Sequence, residues 1–180
     1  MRALLLLLLL LLACTRAPRD VSLVAPERAY SVEHLAKKAP LTVAVFVSAE
    51  CPCLHAHLER LRGIAAEYAP RGVQFVGVDS EVGGSLDRAK KIERELALPF
   101  PVLVDTEAAF ADAVGAEYAT YTVVLDREGR VRYRGGIDSD KRKMHDDATA
   151  YLRDALDDLL AGRAPRRTQG KALGCVLRKW

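Results

Sequence analysis

Residues 41–49, LTVAVFVSA, form an almost unbroken apolar run rich in valine, the pattern of a strand covered on both faces. Directly after it, Leu54, Leu58, Leu61, Ala65 and Tyr68 recur at i, i+4, i+7, i+11 and i+14, one stripe of an amphipathic helix. Pro70 and Gly72 end that helix. Residues 73–80, VQFVGVDS, predict a second buried strand. Gly83-Gly84 marks a turn, and Ser85 is placed to cap a helix over LDRAKKIERELAL that stops before Pro99. PVLVDT, residues 101–106, reads as a short strand and residues 108–114 as a short helix. YTVVLD and RVRYRG flank the tight turn REG and predict two paired strands. A last helix is expected over residues 146–161, with Leu152, Leu156 and Leu159 on one face and Gly162 and Pro165 closing it. Ahead of all this, residues 30–39 predict a short helix ending before Pro40, and residues 15–26 read as a polar tether.

The order β-α-β-α-β-α-β-β-α, with valine-rich inner strands, argues an α/β fold. Strands alternating with helices before Arg127 should be mostly parallel, and the last two antiparallel. With 180 residues the chain can build one real core, and half of it is apolar. The expected organisation is a tether and N-terminal segment over 14–40, one domain over 41–163 and a basic tail, RRTQGKALGCVLRKW, closing 164–180. A net charge of +3, with no run that interleaves arginine and aromatic residues, makes no case for nucleic acid.

The first thirteen residues stand apart. MRALLLLLLLLLAC carries one basic residue, Arg2, then an apolar run too short to span a bilayer, which needs ~20 residues. It suits an export signal. Leu11-Leu12-Ala13-Cys14 resembles the bacterial lipoprotein cleavage box, which implies that Cys14 becomes a lipidated N-terminus. The expected location is then the bacterial cell envelope, lipid-anchored to the membrane and facing the periplasm or exterior, where disulfides persist. Cys51, Cys53 and Cys175 remain, an odd number that leaves one unpaired or exchanging.

SAECPCLHAH, residues 48–57, is where chemistry concentrates. Cys51 lies at the handover from buried strand to helix, where N–H groups carry partial positive charge and favour a thiolate. Pro52 suits the first helical turn. Glu50 opposes the effect, so Cys51 is expected to be reactive without being strongly acidic. A disulfide between Cys51 and Cys53 would close a very small, strained ring, easily reduced and suited to exchange. On a helix Cys53 and His57 share a face, as do Cys51 and His55. Two thiolates and a histidine suit Cu(I) or Zn(II), against which stands the plainer reading of His55 and His57 as exposed helix residues.

FVSAECPCLHAH, VLDREGRVRYRGGID and the terminal GC of ALGCVLRKW resemble the redoxin-domain proteins, thioredoxin-like members of the alkyl hydroperoxide reductase and thiol-specific antioxidant superfamily. The resemblance spans residues 41–180 and includes the helix-strand insertion between Val82 and Thr106. It implies a thioredoxin-like fold, a central mixed β-sheet flanked by helices, and a thiol–disulfide oxidoreductase with Cys51 as nucleophile. Cys53, or Cys175 if the tail reaches, would resolve the mixed disulfide; Cys175 could equally pair with Cys53. Thr120, or Tyr121, falls where the fold usually places a cis-proline, and a trans bond is expected there. Ser48 stands where peroxiredoxins carry a threonine, and Ala44 where they carry a proline; half the motif is present, which weakens a thiol peroxidase but keeps it as the first alternative. A copper-binding chaperone or structural module, with Cys51, Cys53 and His57 as ligands, is the second; its distant histidine would have to be His145. No organic cofactor is implied; a redox partner protein or disulfide substrate is. Residues 138–143, DSDKRK, read as a solvated loop, and Asp154, Asp157 and Asp158 as a solvated helix face.

Overall fold

The computed structural model describes residues 18–179. The expected signal segment 1–13, the lipidation site Cys14 and the start of the tether, residues 15–17, lie outside the described residues.

Seven strands among the described residues form one mixed sheet in the order β2 (Ala29–Ser31), β1 (Ser22–Val24), β5 (Val102–Val104), β4 (Val73–Asp79), β3 (Leu41–Phe46), β6 (Thr122–Asp126), β7 (Val131–Gly135). Next to the central strand of the seven lies β3, with every residue buried. It pairs parallel with β4 (Val73–Asp79) and antiparallel with β6 (Thr122–Asp126). β5 (Val102–Val104) extends the parallel side, and β7 (Val131–Gly135) pairs antiparallel with β6 across the REG turn. The alternation pattern thus yields parallel pairs β3–β4 and β4–β5, while β6 reverses direction.

Helix α2 (Pro52–Tyr68) buries the predicted stripe Leu54, Leu58, Leu61, Ala65 and Tyr68. It ends where Pro70 and left-handed Gly72 (φ +86°) turn the chain into β4. Helix α3 (Leu86–Glu95) is capped as expected, the Arg88 N–H donating to Ser85 Oγ at 3.2 Å. Helix α4 (Ala109–Val114) sets Phe110 against Phe46, rings stacked at 5.7 Å. Helix α5 (Tyr151–Leu160) lies beside α2, with Arg71 paired to Asp157 at 3.0 Å.

Four expectations need correction. The tether does not run to residue 26: Ser22–Val24 is strand β1, hydrogen-bonded to β2 (Ala29–Ser31) and β5. Val21 and Leu23 alternate into the core there, a pattern too short to read alone. The helix expected over 30–39 shrinks to α1 (Val32–Ala36), because Tyr30 and Ser31 belong to β2. The last helix starts at Tyr151 rather than near 146, because Ser139 Oγ and the Asp140 carboxylate accept the Thr149 and His145 N–H groups and hold that stretch as a loop. Not all the carboxylates expected in solvent lie there: Asp138 and Asp140 are buried, and Asp158 is buried under Arg163 and Arg166, whereas Lys141, Arg142 and Lys143 do face solvent.

The tail, expected to be unpatterned, is pinned by backbone bonds. Arg134 N–H donates to Thr168 O at 3.0 Å and Gly170 N–H to Arg134 O at 3.1 Å. Leu177 is buried.

Phe46 carries the packing between β3 and α4, and Tyr121 meets its edge. Phe46→Ala should cost about 3–5 kcal/mol, read as a lower urea midpoint with an unchanged m-value.

Candidate active site

Because β3 is hydrogen-bonded on both sides, its C-terminal end is fixed, and the loop after it delivers Cys51 to the N-cap of α2. Cys51 has extended dihedrals (φ −83°, ψ 108°), and its Sγ accepts the Leu54 N–H at 3.4 Å. Pro52 follows at the first helical position, where no N–H is needed. The Cys51 side chain is 1% exposed.

The covering group is the tail. The Cys51 thiol donates to Cys175 Sγ at 2.7 Å, and Cys175 is half-buried. Cys53, one helical step inward, is 2% exposed, and the three sulfurs lie within 4.8 Å of one another. The structure therefore brings all three cysteines together, with Cys175 placed against Cys51. Burial and the Cys175 thiol push the Cys51 pKa up, and one N–H from the helix end does not offset them. Cys51 is thus not strongly acidic, as expected, but its pKa moves up rather than slightly down: the helix terminus is present, and burial outweighs it.

Ser48 does not serve the thiol with its hydroxyl. Ser48 Oγ donates to Glu81 Oε2 at 3.1 Å, while the Ser48 carbonyl accepts the Cys51 N–H. Glu81 was not singled out in the sequence. It is buried, paired with Arg88 at 2.6 Å, and it accepts the Arg178 backbone N–H at 3.3 Å. Only its place two residues after the buried acidic end of β4 could have marked it. Thr120 is buried at the end of the loop facing Cys175, in the left-handed region at φ +79°. It donates its N–H to Phe46 O at 2.9 Å. No cis peptide bond occurs among the described residues.

The histidines divide. His55 stays exposed, its ring bonded to Ala49 O at 2.7 Å. His57 is buried, against the reading of an exposed helix residue. Its Nδ1 faces Cys53 O at 2.7 Å and its Nε2 faces Asp138 Oδ1 at 3.1 Å. Both neighbours are acceptors, so the ring fits best with a proton on each nitrogen. Arg60 joins Asp138 at 2.6 Å and Asp140 at 3.1 Å, and Asp140 holds His145 at 2.7 Å. With both His57 nitrogens engaged, the metal set Cys51, Cys53 and His57 is not what the structure assembles; the sulfur trio is. His145 serves Asp140 instead.

Burial alone would lower the His57 pKa, but the Asp138 carboxylate and the Cys53 carbonyl carry it above its ordinary 6.5. His57 therefore adds stability that is complete below pH 6.5 and fades as pH rises through its elevated folded pKa. Asp138 behaves oppositely: burial would raise it, His57 and Arg60 lower it, and its contribution fades as pH falls below 3.8. His57→Gln should therefore destabilise most between these limits and progressively less above pH 6.5, as seen in urea midpoints of both proteins across pH.

Comparison with known proteins bears on the family and the fold. The Redoxin family model matches residues 14–152. No match is found among curated proteins. Among solved structures, a hypothetical protein from Sinorhizobium meliloti is 27% identical, with a TM-score of 0.76, covering 90% of this chain and 92% of that one. Reduced Prx3 from Vibrio vulnificus is 21% identical at a TM-score of 0.52, covering 62% of this chain and 78% of its own. A candidate thiol:disulfide interchange protein DsbE from Chlorobium tepidum is 19% identical at 0.52, covering 66% and 81%. These likenesses establish the mixed, thioredoxin-like sheet with its flanking helices. With the matched model covering most of the chain, the protein belongs to the Redoxin family.

Proposed function

We propose that this protein is a thiol–disulfide oxidoreductase of the bacterial cell envelope in which Cys51 attacks and Cys175 resolves. The observation that supports it is the 2.7 Å approach of the two sulfurs, made by a tail whose backbone is bonded to the domain. Family membership supports a thioredoxin-like redox role acting on a partner or substrate protein.

In the forward direction the Cys51 thiolate attacks one sulfur of a substrate disulfide. A Cys51–substrate bond forms, and the other substrate sulfur leaves as thiolate and takes up a proton. The Cys175 thiolate then attacks Cys51 Sγ, releasing the second substrate thiol and leaving a Cys51–Cys175 disulfide. Cys53, within 4.8 Å, can exchange into that bond and free the tail. The reduction potential sets the direction. The location rests on the short apolar leader and Cys14, whose lipid would hold the domain at a membrane.

A second reading draws on the sulfur trio. Three soft donors within 4.8 Å could hold Cu(I) as a three-thiolate site. That reading expects one copper retained per chain against a moderate chelator and little disulfide reductase activity.

A disulfide map tests the assignment. The protein from Asp20 onward, mildly oxidised, blocked and digested, should yield a Cys51–Cys175 link. Cys51→Ser should abolish insulin reduction, and Cys175→Ser in a Cys53→Ser background should trap the mixed disulfide. A Cys51–Cys53 link in the oxidised protein would return the resolving role to Cys53. Loss of hydrogen peroxide should run no faster than with free thiol; rapid loss dependent on Cys51 would make the protein a peroxidase.

A further inference from the structure

The chain around Cys175 is held more closely than a resolving thiol alone requires. Residues 174–178 lie extended along the loop before β6. Ala119 N–H donates to Cys175 O at 2.9 Å and Leu177 N–H to Glu117 O at 2.9 Å, with an antiparallel bridge between Tyr118 and Val176. Val82 N–H donates to Arg178 O at 2.7 Å from the other side. Side chains alternate as on a strand. Cys175 meets Cys51, Val176 is 68% exposed, Leu177 is buried, and the Arg178 guanidinium lies 3.3 Å from Glu50 and 3.7 Å from Glu81. At Gly174 a Cβ would overlap the Ala119 carbonyl and come within 3.0 Å of Thr120 Oγ1.

Lifting this segment would leave two N–H groups, at Ala119 and Val82, and the Glu117 carbonyl facing an open groove. The same groove holds a nucleophilic sulfur, an apolar socket and two carboxylates. Such an edge takes a peptide by strand addition, with backbone bonds for affinity and alternate side chains for selection. We infer that residues 174–178 fill, in cis, the groove in which this protein takes an extended cysteine-bearing segment of its partner. The groove selects glycine before the cysteine, an aliphatic residue two places after it and a basic residue three places after it.

This inference rests on Cys51 as the nucleophile and names its substrate class. In the exchange, Cys51 thiolate attacks a partner cysteine seated where Cys175 now lies, itself disulfide-bonded to a second thiol. The Cys51–partner bond forms as the old S–S bond breaks. The departing thiolate takes up a proton, balancing the one Cys51 gave to solvent.

The test uses the protein in a Cys53→Ser background, with Cys175→Ser, which removes the remaining competing thiol, and with Cys175→Ser plus Leu177→Ser, which also loosens the tail. Each is mixed with the peptide ALGCVLRKW carried as its glutathione mixed disulfide, and the Cys51–peptide bond is followed by mass spectrometry. The native peptide should react at least tenfold faster than a scrambled one or than copies bearing Gly174→Ala, Leu177→Ser or Arg178→Glu. The double variant should enlarge the absolute rate. If the double variant does not fold, the near-isosteric single variant gives the same comparison. Equal rates for all peptides, well above that of glutathione disulfide, would overturn the groove and leave Cys51 as nucleophile. No reaction of Cys51 with any peptide or with glutathione disulfide would overturn both.

Discussion

Strand β3 has no free edge. Its backbone is committed to β4 on one side and β6 on the other, and its side chains are buried on both faces. A strand so enclosed cannot slide without exposing unpaired N–H and C=O groups, each costly away from water. Its C-terminal end is therefore a fixed point. Phe46 accepts the Thr120 N–H there, and Ser48 accepts that of Cys51, so both walls of the site are bonded to one rigid terminus. The reactive sulfur is placed by the sheet, and the helix that follows supplies the capping N–H.

What covers that fixed point is less rigid in kind. The tail has no helix or long strand of its own, and it is held by backbone bonds, one buried leucine, Arg178 and Lys179, which pairs with Asp112 at 2.7 Å. The exposed pair of Arg178 with Glu50 contributes little, about 0–1 kcal/mol at most. The buried end at Glu81 is shared with Arg88 and Ser48, so its charge stays compensated when the tail moves. Burial by the tail holds Cys51 in its thiol form, and a thiol that meets water again at a helix N-terminus regains its acidity. Cover and reactivity are thus opposed in one contact.

The central fold was legible because its elements are long and periodic. The valine run of β3 and the five-residue stripe of α2 each repeat their signal several times, and the REG turn separates two such runs. The short strands β1 and β2 offered three residues each, too few for a period to show. Cys51, Cys53 and Cys175 stood out by residue type, but their mutual arrangement did not, because the tail's contacts are backbone bonds to a loop 56 residues earlier, as in Ala119 to Cys175. His57 was misread for a related reason. It lies beside the main stripe, in a second row with Cys53 and Ile64, and its partner Asp138 is 81 positions away. Periodicity reports which face of a helix is dry; it does not report a distant carboxylate that makes a polar residue acceptable there.

The separation of Cys51 and Cys175 has a thermodynamic consequence. A bond between residues 124 positions apart closes nearly the whole domain into one loop. On the chain-entropy account, closing a loop of that order removes about 5 kcal/mol of freedom from the unfolded chain. By linkage the same free energy works in reverse: whatever the bond adds to folding, folding adds to the bond. The oxidant strength of this pair is therefore a property of the entire fold. A substitution far from the sulfurs that weakens the bonded and the reduced fold equally leaves the pair's potential where it was, whereas one that weakens the bonded fold more makes the pair easier to reduce.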